Sequence, residues 1–135
     1  MSFYIKNKWP MVNLNWIKKD LYIISMVTDS YRHYALLRRN NRNEYMTIGT
    51  LDINIKEHDA YLTEIHIIEN ERGRGNGKNI LKNVMESLSS SPIKKIITEF
   101  KIENNSVTDS SFTKLLNDSG FVNVSRNIFE FINCE

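Results

Sequence analysis

The sequence predicts an α/β fold in which an antiparallel meander precedes a parallel strand–helix–strand unit and a C-terminal hairpin. Residues 60–68 are rich in the β-branched and aromatic side chains that favour a strand. A glycine-rich loop follows, after which residues 80–88 carry apolar side chains at the spacing of one helical face. A further strand is predicted at 93–102. The helical crossover between 60–68 and 93–102 makes these two strands parallel neighbours.

The first thirty residues are the least informative. Residues 3–5 could form a short strand. A helix is indicated by the spacing of Leu14, Ile17, Leu21 and Ile24. Residues 21–27 fit a strand equally well, so both alternatives stay open.

The meander is clearer. Strands are predicted at 33–38 and 44–55, on either side of a turn at 39–43 whose asparagines tolerate left-handed backbone conformations. A second tight turn at 56–59 leads into the strand at 60–68. These segments predict three consecutive antiparallel strands.

Downstream of the first helix, Pro92 prevents its continuation. After the strand at 93–102, Thr108 or Asp109 can cap a last helix, and Gly120 supplies its C-terminal stop. That helix is predicted to turn three side chains inward: Phe112, Leu115 and Leu116. A hairpin of two strands is predicted at residues 121–124 and 128–132.

Length and composition indicate one globular domain spanning residues 1–135. The sequence has 135 residues, 41% of them hydrophobic and 25% charged, which are ordinary values for a globular protein. A formal net charge of +2 gives no case for a general nucleic-acid binder.

Cys134 is the one cysteine, so neither a disulfide framework nor a thiolate zinc site is predicted, and we expect no metal. Residues 1–10 lack a signal-peptide pattern, and no apolar run reaches membrane-spanning length, so a cytoplasmic protein without membrane contact is expected.

The loop at residues 72–78 is the strongest functional signal. Glycines at 73, 75 and 77 allow positive φ and close approach of the backbone to a ligand. The first amides of the following helix have no internal partner, and the helix dipole adds positive potential. Arg72, Arg74 and Lys78 add positive charge. The loop therefore predicts a phosphate-binding cradle.

Two familiar phosphate-binding motifs do not fit this loop. Gly73 lies too close to Gly77 for a P-loop, and Asn79 replaces its magnesium-binding hydroxyl. Lys78 stands where a dinucleotide fingerprint needs its third glycine. The pattern R-x-x-G-x-G does fit, as Arg72, Gly75 and Gly77. It resembles the Q/R-x-x-G-x-G/A pyrophosphate signature of the GNAT superfamily of N-acetyltransferases.

This resemblance covers about three quarters of the chain, from the second strand of the family fold to its end. It includes the ending at residues 115–121, which is similar to the family's last helix running into Gly-Phe. It implies a GNAT-like fold with a shortened N-terminal region, since relatives place a strand and two helices there. The acceptor cleft would then be more open than usual.

The activity that the resemblance implies is transfer of an acetyl group from acetyl-CoA, the cosubstrate, to a primary amine, with a protein or peptide as an acceptor class. The alternative is a catalytically weak acyl-CoA-binding domain with an interaction or regulatory role. A monomer or a homodimer is expected. The coenzyme-binding residues implied are Ile67, Ile68, Arg72, Gly73, Arg74, Gly75, Asn76, Gly77 and Lys78. Among these, the backbone N–H of Ile67 would polarise the thioester carbonyl.

Candidates for the acid–base groups are less clear. Tyr61 stands where many relatives have a strand glutamate, so Glu64 is one candidate base, which a bulge in its strand could turn toward the cleft. Glu99, followed by Asn104, resembles a pairing in family members that acetylate ribosomal proteins and is the second candidate. Leu116 occupies the usual position of the tyrosine acid.

Two further groups of residues have a structural and a functional interpretation. His66 alternates with Ile65 and Ile67 and is predicted to share the face of Glu64, either as a structural histidine or as part of the site. The basic turn could attract an acidic acceptor or could simply keep a hairpin tip soluble. Its three basic residues are Arg38, Arg39 and Arg42.

Overall fold

The computed structural model describes residues 11–99, 106–125 and 127–132. The predictions for residues 3–5, Asn104 and Cys134 lie outside this part of the chain. The strands are β1 (Met11–Lys18), β2 (Leu21–Val27), β3 (Tyr31–Arg39), β4 (Tyr45–Lys56), β5 (Asp59–Ile67), β6 (Lys95–Glu99), β7 (Val122–Ser125) and β8 (Ile128–Ile132). The helices are α1 (Asn76–Ser89) and α2 (Ser106–Asp118), and a single 3-10 turn spans Glu69–Glu71.

The eight strands form one mixed sheet in the order β1-β2-β3-β4-β5-β6-β8-β7. All neighbours pair antiparallel except β5 and β6, which are parallel. The predicted meander, the parallel unit around α1 and the C-terminal hairpin are therefore confirmed.

Both described helices pack against the same face of the sheet, here named the inner face. Four apolar side chains of α1 recur on its inward stripe and are fully buried: Ile80, Leu81, Val84 and Leu88. Leu116 of α2 joins the same core as the inner-face side chains of β2 to β6 and β8. No described helix covers the opposite, outer face, where Val12, Leu14 and Trp16 of β1 are more than half exposed.

A bulge in β5 changes which side chains face the core. Leu62 pairs with Ile53 and Glu64 with Asp52, so Thr63 is an extra residue in β5. A bulge shifts the alternation of side chains by one position. Leu62 and Ile65 therefore both face the core, and Glu64 is placed on the outer face.

The last helix ends in a Schellman motif. The N–H of Phe121 donates to the carbonyl of Leu116, and the N–H of Gly120 donates to that of Asn117. Gly120 has a φ of +95°, which satisfies this motif without a Cβ penalty. The predicted stop at Gly120 is confirmed.

Two predictions about local structure differ from the observed fold. Residues 11–27 form β1 and β2 rather than a helix, so the helical alternative was wrong. Leu14 and Ile24 pair across these strands on the outer face, whereas Leu21 faces the core. The last helix begins at Ser106, so Thr108 and Asp109 lie inside it and do not cap it. None of the helices in the described part of the chain is long and apolar enough to cross a membrane.

Candidate functional site

The glycine-rich loop joins the 3-10 turn to the first turn of α1. Gly73 and Gly75 have φ of +77° and +82°, and Gly75 is the N-cap of α1. The first helical hydrogen bond runs from the N–H of Asn79 to the carbonyl of Gly75, at 3.0 Å. Helix geometry leaves the amides of residues 76–78 without intrahelical acceptors. Together with the helix dipole, these amides form a site for an anion.

A buried carboxylate holds this loop in place. Glu71 is only 6% exposed, and Arg38 of β3 donates to both of its oxygens, at 3.1 and 3.0 Å. The hydrogen bonds from Arg38 are the main cause that lowers the pKa of Glu71. The side-chain amide of Asn76 donates to the carbonyl of Glu71 at 2.9 Å and to its Oε1 at 3.0 Å. Asn76 thus contributes its side chain to the loop's support, and its backbone N–H to the anion site.

The sequence did not identify Glu71, and it placed Arg38 in a solvent-exposed basic turn. In the structure Arg38 supports the loop, and its neighbour Arg39 pairs with Asp20 at 3.3 Å. Both arginines therefore have acidic partners within the chain. Sequence separation hides such contacts, since Arg38 and Glu71 are 33 residues apart.

The three basic side chains of the loop lie in different surroundings. Arg72 donates from Nε to the carbonyl of Ile67 at 2.8 Å, which places its guanidinium beside the end of β5. The side chain of Arg74 is 63% exposed and lies 4.0 Å from Glu71 Oε1. Lys78 is exposed and lines the cleft in front of the loop. Positive charge therefore borders the anion site.

Among the described residues, the parallel pairing of β5 with β6 ends after four pairs, and the stretch of β5 beyond them is here named the opening. The last described pair is Leu62 with Thr98, although β5 continues to Ile67. The N–H of Ile68 donates to the carbonyl of Ile48 in β4, at 2.9 Å. Because N–H and C=O groups alternate sides along a strand, the N–H and C=O of Ile67 point away from β4. The N–H of Ile67 therefore points to the side of β5 on which β6 lies, where no described residue pairs with it.

A cleft of about 800 Å³ follows the opening to the loop. Ile65 and Ile67 of β5 line one side, and Phe112 and Leu115 of α2 line another. A Cβ built on Gly73 or Gly75 would meet no atom within 4 Å, so the space in front of the loop is open. The cleft combines an apolar channel with an anion site at its end, an arrangement that suits a long ligand with a phosphate group.

The two candidate bases stand on the two strands that border the opening. Glu64 is exposed on the outer face of β5, and Glu99 is exposed at the end of β6. Tyr61 and His66 share the outer face with Glu64, as their pairings with Asn54 and Thr50 show. Leu116 is fully buried in the core, and its hydrocarbon side chain has no proton to donate.

A polar cluster on the outer face was missed from the sequence. Asp52 lies directly opposite Glu64 on β4, and its Oδ1 accepts a hydrogen bond from the hydroxyl of Tyr31 at 2.7 Å. His33 Nδ1 contacts the same oxygen. The hydrogen bond to Asp52 is the main cause that raises the pKa of Tyr31 to about 12. The cluster depends on the register of β3, β4 and β5, which the sequence pattern does not specify to the residue.

A second cleft, of about 520 Å³, lies between α1 and the C-terminal hairpin. Lys78 and Asp118 line both clefts, so the two are adjacent. Lys82 adds a second positive charge there. Among the described residues, no group of three or more histidine, cysteine, aspartate or glutamate side chains is arranged to hold a metal ion.

Comparison with known proteins identifies the fold. No protein-family model matches the sequence, and no curated protein matches it. Solved structures do match. The ribosomal-protein-S18-alanine N-acetyltransferase from Escherichia coli aligns at a TM-score of 0.64 with 14% identity, over 81% of this chain and 73% of that chain. The structure of YhhK from Escherichia coli, determined bound to coenzyme A, aligns at a TM-score of 0.59 with 18% identity, over 78% of this chain and 74% of that chain.

A GNAT-family acetyltransferase from Staphylococcus aureus Mu50 aligns at a TM-score of 0.58 with 13% identity, over 77% of this chain and 68% of that chain. These similarities show that the chain has the GNAT fold.

Proposed function

We propose that this protein is an acetyl-CoA-dependent N-acetyltransferase that moves an acetyl group to a primary amine on a protein or peptide. The observation that carries the proposal is the cleft between the opening and the amides at the start of α1. An apolar channel that ends in an anion site matches the pantetheine arm and the pyrophosphate of the coenzyme. YhhK, which has the same fold, binds coenzyme A.

Each part of the cleft has a role in this proposal. The amides of residues 76–78 bind the pyrophosphate, and Lys78 with Arg74 neutralises its charge. Ile65 and Ile67 pack against the pantetheine arm. The N–H of Ile67 donates to the thioester carbonyl oxygen as negative charge develops on it, which lowers the barrier to attack.

The acceptor amine requires a group that removes its proton. A lysine-like amine has a pKa of about 10 and is mostly protonated at neutral pH. Glu64 and Glu99 border the opening and are the candidate bases, directly or through one water. Because Leu116, in the position of the tyrosine acid, has no proton to donate, water protonates the departing thiolate.

The acceptor is proposed to be a polypeptide because the outer face beside Glu64 has no described helix over it. A compact metabolite requires a closed pocket with convergent contacts, whereas a lysine side chain or a chain terminus can reach the opening from outside. The Escherichia coli enzyme of the same fold acts on an alanine of a ribosomal protein.

Labelled acetyl-CoA tests this function. The protein is incubated with labelled acetyl-CoA and a cell lysate, and the products are separated by mass. We expect label on proteins above the non-enzymatic background, and release of coenzyme A. Label confined to the low-mass fraction would contradict a polypeptide acceptor.

A second candidate function is acyl-CoA binding without turnover, in an interaction or regulatory domain. Two observations favour it: the buried Leu116 in the position of the tyrosine acid, and Tyr61 in place of the strand glutamate. Binding of acetyl-CoA without release of coenzyme A in the presence of amines would support it.

A further inference from the structure

A polar recess of about 300 Å³ opens on the inner face of the sheet, between α1 and the first three strands. Elsewhere the inner face packs an apolar core, so a group of polar side chains in this place is unexpected. Arg32 carries the only charge in the described lining of the recess, and Ile23 and Val27 are its apolar members. The other described lining residues are neutral and polar: Asn13, Asn15, Ser25, Tyr34, Asn83 and Ser87.

The register of the strands brings these side chains together. Ser25 of β2 lies opposite Asn13 on one side and opposite Tyr34 on the other. Arg32 lies opposite Ile53, which is fully buried in the core, so Arg32 also faces inward. Directly opposed side chains on neighbouring strands have Cβ atoms about 5 Å apart. The recess is therefore built into the pairing of β1, β2 and β3 rather than into a loop.

Two hydroxyl groups connect α1 to β3 at this recess. Oγ of Ser87 donates to the carbonyl of Val84 at 2.8 Å. A hydroxyl group has only one proton, so the hydroxyl of Tyr34 is the donor in its contact with Oγ of Ser87, at 3.1 Å. These two hydroxyl groups therefore have partners within the chain, and they hold the helix against the sheet.

Arg32 has no such partner. Its Nε is buried and makes no hydrogen bond, and none of the ion pairs between described residues includes Arg32. A buried donor without an acceptor destabilises a folded protein. Residues 1–10, which precede β1, contain no aspartate or glutamate and so cannot supply a carboxylate. The described part of the chain thus offers Arg32 neither an acceptor for Nε nor a counter-charge.

We propose that the recess binds a small hydroxy acid with one carboxylate, and that Arg32 holds this carboxylate. A guanidinium presents parallel N–H donors that match the two oxygens of a carboxylate. Arg32 balances a single negative charge, whereas a phosphate monoester carries about −1.5 to −2 at neutral pH. The amides of Asn15 and Asn83 and the hydroxyl of Ser25 can each donate to and accept from the hydroxyl groups of the acid.

This recess is separate from the cleft proposed for acetyl-CoA. None of the described residues lines both of them. Asn83 and Ser87 lie two to three turns along α1 from its start at Asn76, which is about 10 to 16 Å. A water molecule occupies about 30 Å³, so the recess suits an acid of up to about ten non-hydrogen atoms. The acid is bound rather than converted, and its binding does not depend on acetyl transfer.

Glycerate is the probe, because it combines one carboxylate with two hydroxyl groups. The isotope-labelled full chain is titrated with glycerate at neutral pH and followed by heteronuclear NMR, which detects arginine Nε–H groups and backbone amides. We expect saturable shifts at the Nε–H of Arg32 and at the amides of Ser25 and Asn83, with a dissociation constant of about 1 mM or tighter. The loop at 72–78 should not shift. Glyceramide, the neutral analogue, should bind at least about tenfold more weakly.

Arg32→Gln keeps a polar side chain and removes the charge. We expect glycerate affinity to fall at least about tenfold, while thermal stability stays the same or rises, because Arg32 has no hydrogen bond at Nε and no ion pair to lose. Arg42→Gln, in the exposed turn between β3 and β4, is the matched control and should bind glycerate as the parent does. Asn83→Asp is a second variant, which places a negative charge in the recess and should also lose binding.

The inference is overturned if glycerate causes no shift at Arg32 up to about 10 mM, or if shifts occur only in the loop at 72–78. It is also overturned if glyceramide binds as well as glycerate, or if either recess variant binds glycerate as the parent does. A lower thermal stability of Arg32→Gln with unchanged glycerate affinity would show a structural role instead. Inorganic phosphate is titrated in parallel, and tighter binding of phosphate than of glycerate at Arg32 would contradict the assignment to a carboxylate. The proposed acetyl transfer stands or falls independently of these results.

Discussion

Glu64 is an exposed carboxylate whose position depends on a single extra residue, Thr63. Without the bulge at Thr63 the alternation of β5 would turn Glu64 toward the core. With it, Glu64 lies on the outer face at the opening between β5 and β6. A residue-level feature of the backbone thus places Glu64, the proposed base, on the outer face.

Replacing Glu64 with glutamine keeps its shape and removes its basicity. We expect turnover at neutral pH to fall by about 10²-fold with little change in acetyl-CoA affinity. The loss should shrink at high pH, where the amine is already deprotonated. Glu57→Gln, in the exposed turn before β5, is the control. Equal activity of Glu64→Gln and the parent at all pH values would show that Glu64 is not the base, and that Glu99 or water removes the proton instead.

The backbone at Gly75 requires a residue without a Cβ, because its φ of +82° is strained for any other residue. In Gly75→Ala the new methyl group would enter the open space in front of the loop, where the phosphate is proposed to bind, and relief of the strained φ would shift the amides at the start of α1. We expect acetyl-CoA affinity to fall at least about tenfold, at a cost in stability of about 1 kcal/mol. Calorimetric titration and thermal unfolding measure the two effects.

Gly120→Ala is the matched control, because Gly120 also has a positive φ but lies at the end of α2. Its Cβ would meet the ring of Phe131 at 3.2 Å, so stability should fall while acetyl-CoA affinity is retained. Normal affinity in Gly75→Ala would show that the anion site is elsewhere.

At the scale of elements, the connection between β3 and the glycine-rich loop depends on Arg38 and Glu71. Arg38→Gln would leave a nearly buried carboxylate without its cation. We expect the free energy of unfolding to fall by about 2 kcal/mol, and acetyl-CoA affinity to fall because the loop loses its support. Chemical denaturation and calorimetric titration measure these changes.

Arg39→Gln provides the control on the next residue. Arg39 pairs with Asp20 at the surface, and exposed ion pairs contribute little to stability because water screens them. A larger loss of stability in Arg39→Gln than in Arg38→Gln would contradict the importance assigned to the Arg38–Glu71 pair.

The carboxylate of Glu71 makes the free energy of unfolding depend on pH. The folded-state pKa of Glu71 lies below its ordinary value of 4.5, chiefly because Arg38 donates hydrogen bonds to it. Its stabilisation is therefore fully present above about pH 4.5 and is lost as the pH falls through the lower folded-state pKa. Denaturation of the parent and of Glu71→Gln at several pH values tests this. The parent should be more stable than Glu71→Gln near neutral pH, and this difference should shrink in acid. A difference in the free energy of unfolding that stays constant with pH would contradict the role given to the ionised Glu71.

For the whole molecule, the sequence predicted the elements better than it predicted the cluster beside the opening. The strand at 60–68, the loop and α1 were predicted within a few residues, because each has a local signal in periodicity or glycine spacing. The final hairpin and the stop at Gly120 were predicted for the same reason. The GNAT fold follows from the order of these elements.

What the sequence could not predict depends on contacts between distant residues. The pairing of Arg38 with Glu71 and the contact of His33 with Asp52 join different strands and loops. Such contacts require the register of the meander, which the bulge in β5 shifts by one residue. The pattern in residues 14–24 was ambiguous because the spacing of a few apolar residues fits both a helix and paired strands.

Calorimetric titration of the purified protein with acetyl-CoA tests the central claim most directly. The claim is that the amides at the start of α1, with Arg74 and Lys78 beside them, form the coenzyme site. We predict a dissociation constant in the micromolar range or tighter, about −8 kcal/mol, at one site per chain, weakened in Gly75→Ala. The claim would be contradicted if the protein showed no heat of binding and no thermal stabilisation at about 1 mM acetyl-CoA. A dissociation constant of that size corresponds to only about −4 kcal/mol.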